Sequence, residues 1–494
     1  MLDLHDIYHV LTDVSSYHAP EHISVNHICL DSRKVTTTSI FVALVGAHLD
    51  ARKFIEKTIA PIVIVEEWNK ELDQLYNPTA KTCVLQVPNA RKALAKLSCH
   101  LYGYPATKMR MIGLTGTNGK TTTSLMISDI LRQHGEKVGY IGTIGHQING
   151  EHISLQDGHT TPEAPELQHI LSIMVERECT CCVMEVSSIG LDMFRVFGIE
   201  FDVVAFTNFT QDHLDFHANM QEYLEAKRKL FSQHIHENSV SILHSTQPEI
   251  RETKVCKGKT VTFGTRENDT WQIVEITESV NKTLCVYKFA QEIHQIEIPL
   301  IGRHNVENAI TALACTHALG LSVPTIERNL SQLAQIPGRL ELVTSPIHSF
   351  HGHAFVDYAH TPDALEKALY SMRNICTGRV VVVFGCGGDR DKSKRPQMGA
   401  IATQLATVVI ITSDNPRSEN PNTIINDILE GIPTNSRDSV ISIIDRKAAI
   451  EYALCNLQEH DVVLVAGKGH EDYQIIGTEK IHFDDREIIR NYQT

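Results

Sequence analysis

Nowhere in this chain of 494 residues does an apolar run approach the ~20 residues that a membrane-spanning helix needs. No membrane insertion is therefore expected. The amino terminus, MLDLHDIYHVLTD, lacks the basic start and apolar stretch of a secretory signal and carries acidic residues instead, so a cytoplasmic protein is expected. Surplus basic charge is missing as well. There are 45 Lys and Arg against 59 Asp and Glu, for a formal net charge of −14. Binding to nucleic acid or anionic membranes draws largely on excess Lys and Arg, so neither is an expected partner, and any anionic substrate must be met by local pockets. The twelve cysteines are scattered. Their one cluster, Cys179, Cys181 and Cys182, lies in the apolar segment CTCCVMEV, with no second ligand pair at a spacing that would suit zinc; it reads as a buried strand of reduced thiols. Internal repeats and low-complexity tracts are also absent.

With 42% hydrophobic residues, the chain can bury a sizeable core, and its length exceeds what one core usually supports. The expected fold class is α/β in three domains. Residues 1–105 alternate short apolar segments (SIFVALVG, PIVIVEEW) with a helical pattern, ARKALAKLSCHLYG, and read as a small α/β domain. Residues 106–336 alternate strand-like runs (MRMIGLTG, KVGYIGTIG, CTCCVMEVSS, FDVVAFTNF) with helical patterns, which implies a mainly parallel sheet with covered faces. Within them, residues 255–300 read as shorter alternating strands that form an antiparallel annex. The turn at Pro337 and Gly338 leads into residues 337–494, a Rossmann-like α/β domain whose strands RVVVVFGCGG, ATVVIITSDNPR and DVVLVAGKGHE each end in a polar or glycine-rich loop.

The most informative segment is MIGLTGTNGKTTTSLMISDIL, residues 111–131: a strand, a glycine-rich turn, then an amphipathic helix. Gly113, Gly116 and Gly119 allow close backbone approach, so that amide N–H groups and a helix N-terminus converge on an anion, with Thr117 and Asn118 between them. Lys120 adds a point charge for phosphates, and the hydroxyl of Thr121 or Thr122 can join a magnesium shell. The pattern is G-x-x-G-x-x-G-K-T, with Leu114 where the strict phosphate loop has its first glycine. Five further groups follow strands or mark helices. In EVSS, Glu185 is placed to ligate magnesium. In TNFTQDHLDFH, His213 is a candidate ligand, oriented by Asp212 and Asp215. YLEAKRKLF puts Lys227 on a helix, and IGRHNVENAITAL puts Asn305 and Asn308 on one helical turn. The last group gathers Asp357, His360, Asp389, Arg390, Asp414, Arg417, Lys468, His470 and Glu471 at four strand ends.

Taken together, GTNGKTT, EVSS, NFTQDHLDFH, EAKRKLF, HNVENA, DYAHTPD, FGCGGDRDKSKRP and DNPR resemble the Mur ligase family, from LDSRKV at residues 30–35 through AGKGHEDYQ. The resemblance implies ATP-dependent amide-bond synthesis in peptidoglycan precursor assembly. A substrate carboxylate takes the γ-phosphate to give an acyl phosphate, and an amine then displaces phosphate. It implies ATP and Mg2+ as cofactors, UDP-N-acetylmuramoyl-L-alanyl-D-glutamate and meso-2,6-diaminopimelate as substrates, and a monomer. Gly116, Thr117, Asn118, Gly119, Lys120, Thr121 and Thr122 would cradle the triphosphate, with Asn305, Arg339, Asp357 and Lys394 near the nucleotide. Thr121, Glu185, His213 and Lys227 would hold the metal, Lys227 as a carbamate; Lys120, His213 and Lys227 would be the catalytic residues. Leu30, Ser32 and the loop Ala47, His48, Leu49 would hold the uridine nucleotide. His159, Thr160, Thr161, Ser187, Met193 and Arg195 would hold the muramyl-peptide part.

Here SSIGLDMFR stands where SSHALDQGR is frequent in the family, so Met193 replaces a glutamine and Ile189 a histidine; His159 stands where many relatives have asparagine. Arg390, Asp414, Asn415, Pro416, Arg417, Gly467 and Glu471 would bind the amino acid. DNPR accompanies meso-diaminopimelate in the family, because an arginine fork suits its distal carboxylate. L-lysine as the added amino acid, and a non-catalytic relative that binds without turnover, are the competing readings.

Overall fold

A strand that is apolar at every position must bury both faces, and alternation of side chains then sends its residues into two cores. The central strands do this. From Arg110–Thr115, Cys181–Glu185 and Phe201–Phe206, one face contributes Ile112, Leu114, Cys181, Val183, Val203 and Ala205 to a core shared with the helices Lys120–Gln133 and Arg303–Ala318. The other face contributes Met111, Cys182, Met184, Val204 and Phe206 to a core shared with Ala164–Glu176 and Met220–Gln233. All three clustered cysteines are buried, Cys181 and Cys182 on opposite faces of one strand.

The computed structural model describes residues 2–18, 23–46, 50–75, 82–153, 159–344 and 351–492. Three α/β units follow one another along the chain. In the first, a five-stranded sheet runs in the order Ser15–Tyr17, Cys83–Gln86, Ile62–Val65, Ser39–Val42, His27–Cys29, parallel except for its first pair. The expected helix is present as Ala90–Leu101, started by Asn89, whose side chain accepts from the Lys92 N–H.

The second unit is an eleven-stranded sheet. Its middle is parallel, from Val138–Gly142 through Cys181–Glu185, Arg110–Thr115, Phe201–Phe206, Ile235–His244 and Lys259–Gly264 to Trp271–Glu278. The expected antiparallel annex is present but not separate. Lys259–Gly264 pairs in parallel with the main sheet, and only Trp271–Glu278, Thr283–Phe289 and Glu292–Ile298 form the antiparallel meander that extends it. Trp271 stacks on Phe289 within the meander, and both pack into the same core as the main sheet.

The third unit is six-stranded, in the order Glu341–Val343, His353–Asp357, Val462–Ala466, Val380–Phe384, Val408–Ile411, Val440–Ser442, parallel after its first pair. Among the described residues no helix is long and apolar enough to cross a membrane.

Candidate active site

Between the strand Arg110–Thr115 and the helix Lys120–Gln133, the chain turns through Gly116 at φ +149° and Gly119 at φ +81°. A Cβ on Gly116 would lie 2.0 Å from Thr207 Oγ1, and one on Gly119 would lie 2.3 Å from Asn308 Oδ1. Only glycine fits either place. The turn is clamped by the segment after the neighbouring strand. The Thr117 N–H donates to the Asn208 carbonyl at 2.9 Å and the Asn118 N–H to Asn208 Oδ1 at 2.8 Å. In return, Thr207 Oγ1 and Asn208 Nδ2 donate to the Asn118 carbonyl at 2.7 and 2.8 Å. The sequence marked residues 207–217 for His213 with Asp212 and Asp215, and this bracing role of Thr207 and Asn208 was not visible in it.

Two lysines converge on this turn. Lys120 Nζ donates to the carbonyls of Gly116 and Thr117, each at 2.8 Å, and Lys227 Nζ donates to the same Gly116 carbonyl at 2.8 Å. Lys227 is only 1% exposed. Burial pushes its pKa well below the ordinary lysine value, and the charge of Lys120 pushes in the same direction. Desolvation also lowers Lys120.

Glu185 closes its strand and is fully buried. Its carboxylate accepts from Tyr140 OH at 2.6 Å, Thr121 Oγ1 at 3.0 Å, Thr143 Oγ1 at 3.0 Å and the Thr143 N–H at 3.1 Å. Tyr140 and Thr143 belong to no motif, and their nearness to Glu185 comes only from the adjacency of their strands. Thr143 also bonds Thr160, while Thr161 Oγ1 donates to the Glu185 carbonyl and accepts the Ser187 N–H. Arg195 donates to the Thr161 carbonyl and pairs with Glu163 at 2.7 Å, so this corner is already knitted together. The Ser187 hydroxyl accepts the Gly190 N–H and starts a short helix that Met193 ends.

His213 stands at φ +54°, its imidazole 3.6 Å from Asp212. Burial lowers its pKa, the Asp212 charge opposes this, and Lys227 and Lys120 add to the lowering. Thr121 and Glu185 are thus brought together, whereas Lys227 is held on the loop carbonyl. Among the described residues, the only group with three His, Cys, Asp or Glu ligand atoms within 4.8 Å of one another is Asp3, His5 and Asp6, far along the chain from this place. Asn305 donates to the Ile301 carbonyl and accepts from Asn308, whose Oδ1 accepts from Thr123; the two asparagines brace the helix that carries the loop.

In the last unit, Asp357 accepts the N–H groups of Leu340 and Ala359 at 2.7 and 2.8 Å, and the Arg339 guanidinium lies 4.6 Å from the Tyr358 ring. Desolvation raises Asp357 to about 6 and lowers His360 to about 4. The DNPR loop follows the strand Val408–Ile411. Asp414 and Asn415 are buried, and Arg417 at φ +51° donates to the Gly388 carbonyl at 2.8 Å. Asn415 Nδ2 donates to Glu471 at 3.0 Å, and burial raises the Glu471 carboxyl above its ordinary value. Pro416 is carried in the same turn, its carbonyl accepting the Glu419 N–H. Arg390 is exposed and donates to the Asp389 carbonyl.

One cavity of about 1480 Å3 spans the central and last units, although residues 116–122, Glu185, Lys227, Asn305, Arg339 and Asp357 are not among those that line it. It is lined by Thr143, His159, Thr160, Ile189 and His213 from the central unit and by Arg390, Lys394, Asp414, Asn415, Arg417, Gly467 and Glu471 from the last. Leu30, Ser32, Ser187, Met193 and Arg195 do not line it, and Ala47, His48 and Leu49 lie outside the described residues. The central and last units also touch at the phosphate loop, where Asn118 Nδ2 donates to Asp363 at 3.0 Å.

Residues 114–316 match the family model described as Mur ligase middle domain, and residues 338–469 match the one described as Mur ligase, glutamate ligase domain. The chain is 40% identical over 473 residues to a Clostridium acetobutylicum protein named UDP-N-acetylmuramoyl-L-alanyl-D-glutamate--2,6-diaminopimelate ligase 1, covering 95% of each. It is 41% identical over 471 residues to the Clostridium tetani ligase of the same activity name, covering 95% of this chain and 94% of the relative. A solved structure of a UDP-N-acetylmuramoyl-L-alanyl-D-glutamate--2,6-diaminopimelate ligase superimposes with a TM-score of 0.65 at 31% identity, over 95% of this chain and 94% of that one. A MurF ligase from Thermotoga maritima in complex with ADP shares the fold, with a TM-score of 0.61 at 17% identity over 90% of this chain and 94% of that one.

Proposed function

The chain belongs to the Mur ligase family, and on that premise we propose that it is the ATP-dependent ligase that joins meso-diaminopimelate to UDP-N-acetylmuramoyl-L-alanyl-D-glutamate in peptidoglycan precursor synthesis. The observation that carries this reading is the single cavity running from the Thr143 and Thr160 corner beside Glu185 to the cluster of Arg417 and Glu471. The substrate carboxylate attacks the γ-phosphate of ATP, ADP leaves, and the amine of the incoming amino acid then displaces phosphate from the acyl phosphate through a tetrahedral intermediate.

The amides of residues 116–122 and the N-terminus of the following helix cradle the triphosphate. Lys120 exchanges its two loop carbonyls for phosphate oxygens. The Thr121 hydroxyl and the Glu185 carboxylate, 3.0 Å apart, are hard oxygen donors that fit magnesium, with His213 beside the loop. When bound there, magnesium neutralises charge on the phosphates as phosphoryl moves. Lys227 is placed for carbamylation: burial favours its neutral amine, which adds to carbon dioxide with loss of a proton and becomes an anion. Left as a cation, it would repel the metal.

Arg339, Asp357 and Asn305 border the nucleotide side, while Leu30, Ser32 and the loop 47–49 take the uridine end. Thr160, Thr161, Ser187 and Arg195 shape the muramyl-peptide corner. The domains divide at 1–105, 106–336 and 337–494, and the protein acts as a cytoplasmic monomer. Arg417 and Arg390 receive the distal carboxylate of meso-diaminopimelate, and Glu471, Asp414 and the Gly467 backbone receive its ammonium. L-lysine lacks that carboxylate and would leave Arg417 without its charged partner.

The test is phosphate release with ATP, magnesium and the UDP-muramyl dipeptide, adding meso-diaminopimelate, L-lysine or neither. Release that depends on meso-diaminopimelate is the expected result. Preference for L-lysine would overturn the amino-acid assignment, and nucleotide binding without turnover on either amine would overturn the enzymatic one.

A further inference from the structure

Behind the wall of the amino-acid end lies a charge that does not reach the cavity. Lys468 is 0% exposed and is not among the lining residues, whereas Asp414, Asn415, Gly467 and Glu471 are. Its Nζ sits 3.2 Å from Glu471 Oε2, 3.2 Å from Asn415 Oδ1 and 3.4 Å from Asp414 Oδ1. Three lining side chains from two separate loops are therefore tied to one buried ammonium. Asn415 Nδ2 bonds the same Glu471 oxygen, and Asn415 Oδ1 also accepts the Ile475 N–H, so the amide is held in one orientation. The other buried cation nearby, Arg446, is neutralised by Asp485 at 2.7 Å and donates to the Ala466 carbonyl, so it leaves the local count of charge unaltered.

Counted by itself, the cluster of two carboxylates and one ammonium carries a single net negative charge, set beside the Arg417 guanidinium that lines the same wall and is assigned to the distal carboxylate. One substrate ammonium balances it; a neutral group does not, and a buried uncompensated carboxylate is costly. We propose that Lys468 is a positioning residue that sets the specificity of this subsite, orienting Asn415 and Glu471 and trimming their charge so that the site accepts an amino acid carrying one distal ammonium. This rests on the reading given above that the end of the cavity near Arg417 binds the incoming amino acid.

The experiment compares wild type with Lys468→Gln, which removes the charge but keeps a donor for Asn415 and Glu471, and with Lys468→Met, which removes both. Each is assayed by phosphate release with meso-diaminopimelate and, as competitor, 2-aminopimelate, which lacks the distal ammonium. Wild type is expected to discriminate strongly against 2-aminopimelate. In both variants the KM for meso-diaminopimelate should rise at least tenfold and the discrimination should narrow at least tenfold. The KM values for ATP and the UDP-muramyl dipeptide should stay within about twofold, with kcat at saturation within about fivefold.

A uniform loss across all three substrates, or unaltered discrimination, would overturn the proposal. So would failure of both variants to give a cooperative thermal melt, because Lys468 would then serve folding alone. A wild type with no turnover on meso-diaminopimelate would instead sink the reading on which this one rests.

Discussion

Asp357 shows how one residue can register its environment. It ends the strand His353–Asp357 and is 9% exposed. Desolvation raises its carboxyl from 3.8 to about 6, although Arg339 and the N–H groups of Leu340 and Ala359 act the other way. A carboxyl whose folded pKa exceeds its unfolded one gives stability that is complete below the unfolded value and is lost as pH rises through the folded value. The difference corresponds to about 3 kcal/mol. Asp357→Asn cannot titrate, so the melting temperature of wild type relative to this variant should fall between about pH 4 and pH 7. A difference that stays flat over that range would mean the carboxyl is ionised throughout. Short motifs placed Thr121 after the glycine turn and Glu185 at a strand end, and the two do meet at 3.0 Å. Tyr140 and Thr143 were not legible, because they meet Glu185 from 45 and 42 residues away and only strand pairing brings them together. Arg195 entered only through the family resemblance, as a holder of the muramyl-peptide part, and nothing in the sequence pointed to its partner Glu163.

At the level of the element, the strand, turn and helix of residues 110–133 behave as one device whose shape is set by a neighbour. Gly116→Ala places a methyl group 2.0 Å from Thr207 Oγ1 at a φ that side chains rarely adopt. The turn must then part from Thr207 and Asn208, which hold its amides in register. Titration calorimetry should show nucleotide affinity reduced at least tenfold, with the global fold retained by circular dichroism. Unchanged affinity would show that the clamp is dispensable. Element type was readable along the chain wherever apolar periodicity was strong, as in RVVVVFGCGG and DVVLVAGKGHE. What periodicity could not reveal was direction. Lys259–Gly264 alternates like its antiparallel neighbours, yet it pairs in parallel, because partner choice depends on contacts far along the chain.

For the whole molecule, the joint between the central and last units matters most. Asp363, in the first turn of the helix Pro362–Ile375, accepts from Asn118 at 3.0 Å and from its own neighbour Lys367 at 3.0 Å. Asp363→Ala removes this tie. Small-angle scattering of the nucleotide-free variant should give a larger radius of gyration than wild type, and superimposable curves would show that the joint is held elsewhere. The order of the three sheets followed from the order of strand and helix signals, but the space between two of them did not, since no local pattern encodes a shared wall. That space has one further consequence. Neither the central nor the last unit encloses the cavity alone. On the function proposed above, an acyl phosphate formed at one end and the amine that consumes it meet in one space only while the two units remain docked. Capture by the amine then depends on how long the two walls stay together, so the lifetime of the docked state counts alongside the chemistry of any one side chain.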